Sequence, residues 1–399
     1  MQLKNSFMKG LVNMKSALII GGGIAGSAAA IEFKKRSGWN VTIAEKSGLL
    51  GAGLRTQYIH GHPCTFGPRH FLSHNSQTYE WLDKIVPLRL CKEHQFISYV
   101  DQDKQFYSYP IHEDDIPKMP ESKIIFDEIN NLEKSFRDRE FLLTKGSPDA
   151  EFQAKNYKDF WVRSIGPTLY KKFISQYTKK MWMLDDESII DDFSWSPKGV
   201  AIKRGPREGW EKAISAYPKN ISGYDPIFLE AEKSCTILLN TPVEDITPGT
   251  LSAKVQGIYR NYDCIINTSP IDSLYTYQFG KLKYIGRTLQ YSIFPVNMVL
   301  PENVYFSYYC GDEPYTRITE YKKFTQFQSS STLISYETPS NNGRLYPLPI
   351  KVERERASEY FKLMHSNMYS IGRIGAFNYR FDIDDAIEQA IESVEKICS

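Results

Sequence analysis

The sequence lacks the features that mark membrane-spanning, metal-binding and disulfide-rich proteins. The longest apolar run near its N-terminus, Ser16 to Ile20, is too short for a signal-peptide core or a membrane span. Six cysteines are far apart, without a Cys-x-x-Cys pair or a Cys/His cluster at metal-ligand spacing. We therefore expect reduced thiols, no metal site, no membrane insertion and a cytoplasmic protein. Residues 1–13 are polar and lack periodicity. We expect them to result from an early start codon or to be a tag, and they are left out of the fold prediction.

The chain also lacks an excess of charge of either sign. Lys plus Arg number 49 against 47 for Asp plus Glu, so no global field favours nucleic acid or an anionic membrane. A length of 399 residues with 41% hydrophobic residues allows two or three folded domains. Aromatic residues make up 14%, which suits a large cleft for rings and sugars or reflects only a tyrosine-rich composition. Any anionic ligand must be held by local positive charges.

A glycine-rich turn follows the first predicted strand. The strand Ser16 to Ile20 is followed by Gly21, Gly23 and Gly26 in a Gly-x-Gly-x-x-Gly pattern and then by the helix-forming stretch 27–33. The first glycine permits the tight turn, the second lets the backbone approach a pyrophosphate, and the third lets helix and strand pack closely. This pattern predicts a dinucleotide-binding turn.

The residues after this turn favour FAD over NAD. A second strand, 40–44, ends in Glu45, which is placed to accept a hydrogen bond from a ribose hydroxyl. NAD and FAD share the ADP half, so Glu45 alone does not distinguish between the two cofactors. The glycine segment 48–56 then lies about where FAD proteins bring a second loop under the pyrophosphate, and no further βαβ unit of the NAD type follows.

The pattern along the rest of the chain predicts an α/β fold with interleaved parts. Residues 77–195 are mostly helical with a short strand-like piece at 95–110, and strands dominate from 235 to 336. A final glycine loop, 371–375, leads into a helix over 384–394 whose N-terminus is expected to face the flavin.

These elements predict three domains. A Rossmann-like FAD-binding domain is discontinuous and comprises 15–76, 203–245 and 340–399. An inserted helical domain covers 77–195, and a mainly antiparallel β-sheet domain that binds substrate covers 246–339. Exposed helices in the inserted domain make a homodimer one option, and the sequence leaves the oligomeric state open.

Eight short segments, taken together and in order, resemble the UDP-galactopyranose mutase family. The stretch from Pro314 to Phe324 is the most specific of them. The segments are Gly67–Phe71, Phe173–Trp182, Leu239–Thr241, Ile266–Asp272, Gly286–Leu289, Pro314–Phe324, Leu345–Pro347 and Gly372–Tyr379 with Asp382.

The resemblance implies a flavin-dependent isomerase of surface-polysaccharide synthesis, such as that of lipopolysaccharide or capsule. In this family reduced FAD acts through flavin N5, which forms an adduct with the sugar while the nucleoside diphosphate leaves and returns. The expected reaction interconverts pyranose and furanose forms of UDP-galactose or a related UDP or dTDP sugar, such as UDP-N-acetylgalactosamine. An external reductant, NAD(P)H or a reductase, is implied as a partner.

The resemblance also assigns roles to particular residues. Tyr177, with Phe173, is expected to stack on the uracil, and Trp182 to face the sugar, although helix-core packing also explains this spacing. Arg287 is expected to bridge the pyrophosphate as a catalytic residue, with Arg204 as a weaker choice for a second diphosphate arginine. Further expected substrate-binding residues are Tyr346 and Tyr379, for which a buried structural role stays open. The expected cofactor-binding residues are Gly21, Gly23, Ile24, Ala25, Gly26, Glu45, Lys46, Gly53, Leu54, Val243, Arg373, Asp382 and Ile383.

Two departures from the family pattern concern charge near the sugar. Pro68 is expected beside flavin N5, and the next position, usually histidine, is Arg69 here, so Arg69 is expected to meet a different sugar substituent unless it faces solvent and His70 replaces it. The loop that normally carries the second diphosphate arginine is shorter, and Lys198 and Arg207 are alternatives to Arg204.

Two other functions share the same opening motif. A flavin amine oxidase or desaturase would use the dinucleotide turn and consume an electron acceptor, but its C-terminal aromatic amine cage is not evident in the sequence. A catalytically inactive FAD-binding scaffold would follow if Arg287 and the tyrosines proved scattered in space.

Overall fold

A computed structural model describes residues 14–132, 140–141, 154–192, 199–210 and 212–399. Its first layer is a five-stranded parallel sheet in which the glycine turn joins the strand Lys15–Ile20 to the helix Ile24–Lys34. This arrangement confirms the predicted α/β fold class. The strands, in spatial order, are Thr236–Leu238, Trp39–Ala44, Lys15–Ile20, Cys264–Asn267 and Met368–Ser370.

The glycine turn has the geometry that the motif requires. Gly21 has a φ of +93°, a backbone conformation that favours glycine. A Cβ atom on Gly26 would lie 2.0 Å from the Gly21 carbonyl oxygen, so only glycine lets the helix start this close to the strand. The helix Ile24–Lys34 then packs on the C-terminal helix Ile383–Cys398.

The second layer is a seven-stranded sheet that is antiparallel except for one pair of strands. The strand-like piece predicted at 95–110 forms two strands, and both join this sheet instead of standing apart in a helical region. The strands at 236–238 and 264–267 belong to the parallel sheet. The three-domain division stays a prediction. The seven strands are, in order, Tyr346–Pro347, Tyr284–Phe294, Thr332–Ser340, Arg317–Glu320, Val304–Tyr309, Gln95–Val100 and Gln105–Tyr109.

Smaller elements surround the two sheets. A second apolar core, which includes Trp161 and Ile165, forms between the helices of residues 116–190 and nearby strand residues such as Tyr107 and Ile285. It is distinct from the core that packs on the parallel sheet. Among the described helices, none combines the length and apolar character needed to cross a membrane. The other α-helices longer than five residues are Ser76–Asp83, Ser122–Asn130, Tyr157–Ile165, Gln176–Trp182, Asp225–Glu232 and Lys351–Phe361. The other strands are Gln57–Ile59, His62–Cys64, Phe71–Ser73, Leu88–Leu90, Glu140–Phe141, Gly199–Val200, Ile214–Pro218, Val243–Ile246, Ser252–Val255 and Ile258–Asn261.

Candidate active site

A cavity of about 1740 Å³ lies between the two large sheets. Its floor is the carboxyl edge of the parallel sheet, where the residues after the five strands meet, as is usual for ligand sites in open α/β sheets. Its opposite wall comes from the seven-stranded sheet and includes Phe306, Arg317 and Tyr346. The residues that follow the five strands and line the cavity include Gly21, Glu45, Thr241, Thr268 and Gly372.

The predicted cofactor-binding residues line this cavity, with the exception of Gly26, whose place is at the contact between helix and strand. A Cβ on Gly23 would meet only Ala52, at 3.9 Å, so the protein itself leaves space above this glycine. Gly23 is also the N-cap of the helix Ile24–Lys34, whose first turn holds no acidic side chain. An open helix N-terminus of this kind fits the pyrophosphate of a dinucleotide.

Glu45 is held rigidly at the end of its strand. One carboxylate oxygen accepts a hydrogen bond from the Gly22 amide at 2.7 Å, and the other accepts from the Ser47 amide at 2.8 Å and the Ser47 hydroxyl at 2.7 Å. Because a carboxylate has about four lone-pair sites, Glu45 can still accept a further hydrogen bond. The predicted ribose contact therefore stays a prediction that this geometry allows.

Two arginines share the buried carboxylate of Glu337, and they come from the strands on either side of the strand that carries Glu337. Arg287 Nε donates to Glu337 Oε1 at 3.0 Å, and Arg317 Nε donates to Glu337 Oε2 at 3.2 Å. Burial raises the pKa of Glu337, but the charges of Arg317, Arg287 and Arg69 outweigh burial and hold it below its ordinary value. The carboxylate is thus ionised and fixes both guanidinium groups.

Tyr346 lies against these charges. The Arg287 guanidinium carbon is 4.5 Å from the Tyr346 ring centroid, and that of Arg373 is 5.3 Å away. Burial alone would raise the pKa of Tyr346, yet the charges of Arg69, Arg287 and Arg317 lower it below its ordinary value. This part of the cavity therefore has a positive potential that suits an anion. We call Arg69, Arg287, Arg317 and Arg373 the arginine cluster.

The structure brings most of the predicted catalytic and diphosphate-binding residues together. Pro68, Arg69, Tyr346 and Tyr379 line the cavity, whereas Arg287 lies behind Tyr346 with a side chain that is only 2% exposed. The arginine that faces the cavity from the seven-stranded sheet is Arg317.

Sequence reasoning did not single out Arg317. It lies in the segment Pro314–Phe324, one of those that carry the family resemblance. The sequence alone does not mark a single arginine in a strand as a binding residue. Its pairing with Glu337 depends on the register between two strands, which places residues 317 and 337 directly opposite each other.

Two aromatic predictions are corrected by the fold. Phe173 and Trp182 do not line the cavity but lie fully buried in the second apolar core, because the helical segment that carries them turns both rings into this core; the Phe173 ring contacts Tyr107, with centroids 6.0 Å apart. Trp182 contacts Tyr379 with ring centroids 4.8 Å apart, so it supports that tyrosine from behind. Tyr177 is partly buried beside Tyr308, with centroids 5.5 Å apart, and its base-stacking role stays a prediction.

The predicted second diphosphate arginine is also corrected. The Arg204 side chain is 68% exposed, and its Nε donates to Glu113 Oε2 at 2.8 Å. Arg207 Nη1 donates to Asp115 Oδ2 at 2.9 Å. Neither arginine lines the cavity, since each pairs with an acidic residue, Glu113 or Asp115, that does not line it either. Lys198 lies outside the described residues.

Asp384 was not predicted and lies at the cavity wall in the first turn of the C-terminal helix. Burial, together with the charges of Asp385 and Asp382, raises its pKa to about 7. The pKa of an aspartate in an unfolded chain is about 3.9. The native state therefore binds this proton more tightly, and stability that is present below pH ~4 is lost as the pH rises to ~7.

Asp384→Asn is expected to stabilise the protein without its cofactor by about 2 kcal/mol more at pH 8 than at pH 5, because the buried charge is removed. Thermal unfolding at the two pH values measures this difference. Glu355→Gln, an exposed change of the same kind, is the control. An effect of Asp384→Asn that is equal at both pH values would contradict the expectation.

Comparison with known proteins places this site in a family. The family described as UDP-galactopyranose mutase matches residues 172–379, and the NAD(P)-binding Rossmann-like domain matches residues 19–85. A probable UDP-galactopyranose mutase of Klebsiella pneumoniae is 23% identical over 97% of this chain and 96% of its own length. A dTDP-fucopyranose mutase of Escherichia coli is 24% identical over 96% of this chain and 98% of its own length.

A solved structure shares the fold. The crystal structure of a reduced UDP-galactopyranose mutase superposes with a TM-score of 0.75 at 16% identity, covering 96% of this chain and 95% of that chain. At this identity the likeness concerns the fold.

Proposed function

Because this chain belongs to the UDP-galactopyranose mutase family, we propose that it is an isomerase that interconverts the pyranose and furanose forms of a nucleoside-diphosphate sugar. The observation that carries the proposal is that a dinucleotide cradle and three members of the arginine cluster, Arg69, Arg317 and Arg373, line one cavity. Pockets for a single ligand usually measure about 300–1,000 Å³. The larger volume here supports two ligands, a cofactor and a substrate.

We propose FAD in its reduced form as the cofactor. The glycine turn with Glu45 suits the ADP half, and Arg373 and Ile383, which are expected at the flavin end, line the same cavity. Reduced FAD would supply a nucleophilic nitrogen, so that the anomeric carbon can exchange its diphosphate without net oxidation.

The arginine cluster and the tyrosines would hold the diphosphate while the sugar changes its ring. Glu337 fixes both Arg317 and Arg287. Arg317 lines the cavity, and its planar guanidinium can serve two phosphate oxygens, whereas the buried Arg287 would act through its charge. Tyr346 and Tyr379 lie beside them, with ring centroids 5.4 Å apart, and offer hydroxyl donors. These side chains would keep the departing diphosphate close enough to return.

The charges in this part of the site match such an anion. Four arginines of the cluster face two carboxylates, Glu337 and Asp382, which leaves two positive charges. The diphosphate of a nucleotide sugar carries about two negative charges, one for each phosphate diester. Binding would therefore balance the net charge of these six side chains.

The names of the two relatives guide the choice of candidate substrates. One is named for a UDP sugar and the other for a dTDP sugar. We propose UDP-galactose, UDP-N-acetylgalactosamine or a dTDP 6-deoxy sugar as the substrate, in the synthesis of surface polysaccharide such as lipopolysaccharide or capsule. A cytoplasmic location, an external reductant and a homodimer belong to the same proposal.

The proposal is tested by product analysis. The purified protein, loaded with FAD and reduced with dithionite, is incubated with each candidate nucleotide sugar, and furanose products are sought by chromatography and NMR. We expect one of these sugars to yield a furanose with the reduced enzyme. No furanose from any of them would overturn the proposed activity.

A further inference from the structure

Arg69 differs from the other members of the arginine cluster in having no carboxylate partner among the described residues. Arg287 and Arg317 share Glu337, and Arg373 pairs with Asp382. The hydrogen bond found for Arg69 runs from its Nε to the Phe66 carbonyl oxygen at 2.8 Å. The charge of Arg69 acts on Glu337, but that carboxylate already forms ion pairs with two other arginines. A bound anion would therefore lower the cost of partly removing Arg69 from water.

Arg69 lies in the cavity between the glycine segment 48–56 and Tyr346. A Cβ on Gly53 would be 3.8 Å from Arg69 Nη2, which places the guanidinium next to the glycine segment. On the other side, Arg69 is the charge that lowers the pKa of Tyr346 most. A group in this position would meet the phosphate that departs from a sugar held near the flavin.

The segment 199–210 does not offer a comparable cation. Two backbone hydrogen bonds hold this segment against residues 111–113. The Lys203 amide donates to the Ile111 carbonyl at 2.7 Å, and the Glu113 amide donates to the Lys203 carbonyl at 3.0 Å. Arg204 and Arg207 would have to leave Glu113 and Asp115 to reach the cavity.

We propose that Arg69 is the second diphosphate-binding cation of this enzyme, supplied from the loop after the glycine segment and not from residues 199–210. The inference rests on the proposed function and names a role for one residue within it. It replaces the expectation that Arg69 meets a substituent of the sugar.

Binding of UDP and of uridine to the FAD-loaded protein, followed by calorimetry, separates these roles. We expect Arg69→Gln to weaken UDP binding by about 10- to 100-fold, the range for loss of a charge-assisted hydrogen bond. Uridine binding should not change, because uridine lacks phosphates. Arg69→Lys, which keeps the charge, should recover part of the loss, and Lys351→Gln, an exposed change of the same charge, should have no effect. The flavin absorbance verifies that each variant retains its cofactor.

Three results would contradict the assignment to Arg69. One is UDP binding that Arg69→Gln leaves unchanged while the affinity for the nucleotide sugar falls, which would place Arg69 at the sugar. Another is an equal loss for UDP and uridine, which would indicate a general structural role. The third is a large loss in Arg204→Gln without one in Arg69→Gln. By contrast, a wild-type protein that binds neither UDP nor dTDP would contradict the proposed function itself.

Discussion

Arg317→Ala is expected to lower kcat/KM for the nucleotide sugar by about 30- to 5,000-fold. Truncation of one member of a buried charge pair costs about 2–5 kcal/mol, and this arginine would also contact the diphosphate. Arg317 is the cavity-facing partner of Glu337, so its loss removes a cation from the anion site and leaves that carboxylate less compensated. Steady-state kinetics of the reduced enzyme measure the effect.

Arg317→Lys is the informative companion variant. Lysine keeps the charge but loses the planar fork, so we expect activity between those of the wild type and the alanine variant. Flavin content and melting temperature show whether either variant is merely misfolded. If Arg317→Ala folded, kept its flavin and turned over like the wild type, the diphosphate could not be bound at the arginine cluster in the way proposed.

Gly23→Ala is expected to abolish most flavin retention while leaving the protein folded. The backbone of Gly23 is extended, with φ −73° and ψ −168°, a conformation open to alanine, and the added methyl would meet only Ala52 at 3.9 Å. The methyl would instead occupy the space of the pyrophosphate. We expect at least about a tenfold weaker affinity for FAD, measured by titration of the protein without cofactor.

Two other glycines provide the contrast for this experiment. Gly26→Ala would place a methyl 2.0 Å from the Gly21 carbonyl oxygen, so it should lower the melting temperature as well. Gly48→Ala meets Asn240 at an ordinary 3.5 Å and should change neither property. Normal FAD affinity in a folded Gly23→Ala protein would show that the cofactor lies elsewhere.

The parts of the site that depend on local sequence were predictable. The strand, the glycine turn and the first helix are encoded within residues 15–34, because turn geometry and helix formation depend on neighbouring residues. The helix predicted over 384–394 extends over Ile383–Cys398 for the same reason. Together with the segments that follow the other parallel strands, these elements bring the predicted cofactor-binding residues, except Gly26, to one cavity.

The anion site depends on contacts between distant parts of the chain. Arg287 and Arg317 meet at Glu337 through strand register, and neither partner has a local mark in the sequence. Arg204, by contrast, appeared suitable by its place along the chain but is drawn outward by Glu113. Family resemblance indicated several segments that line the cavity, and side-chain packing decided which of their residues face it.

The central claim is an isomerisation that requires a reduced flavin but consumes no electrons. It is tested most directly by reducing the enzyme once, without oxygen or further reductant, and counting the furanose molecules formed per flavin. The account predicts many turnovers per flavin in the reduced enzyme and none in the fully oxidised enzyme. Equal turnover in the oxidised enzyme, or one substrate molecule oxidised for each acceptor consumed, would contradict it.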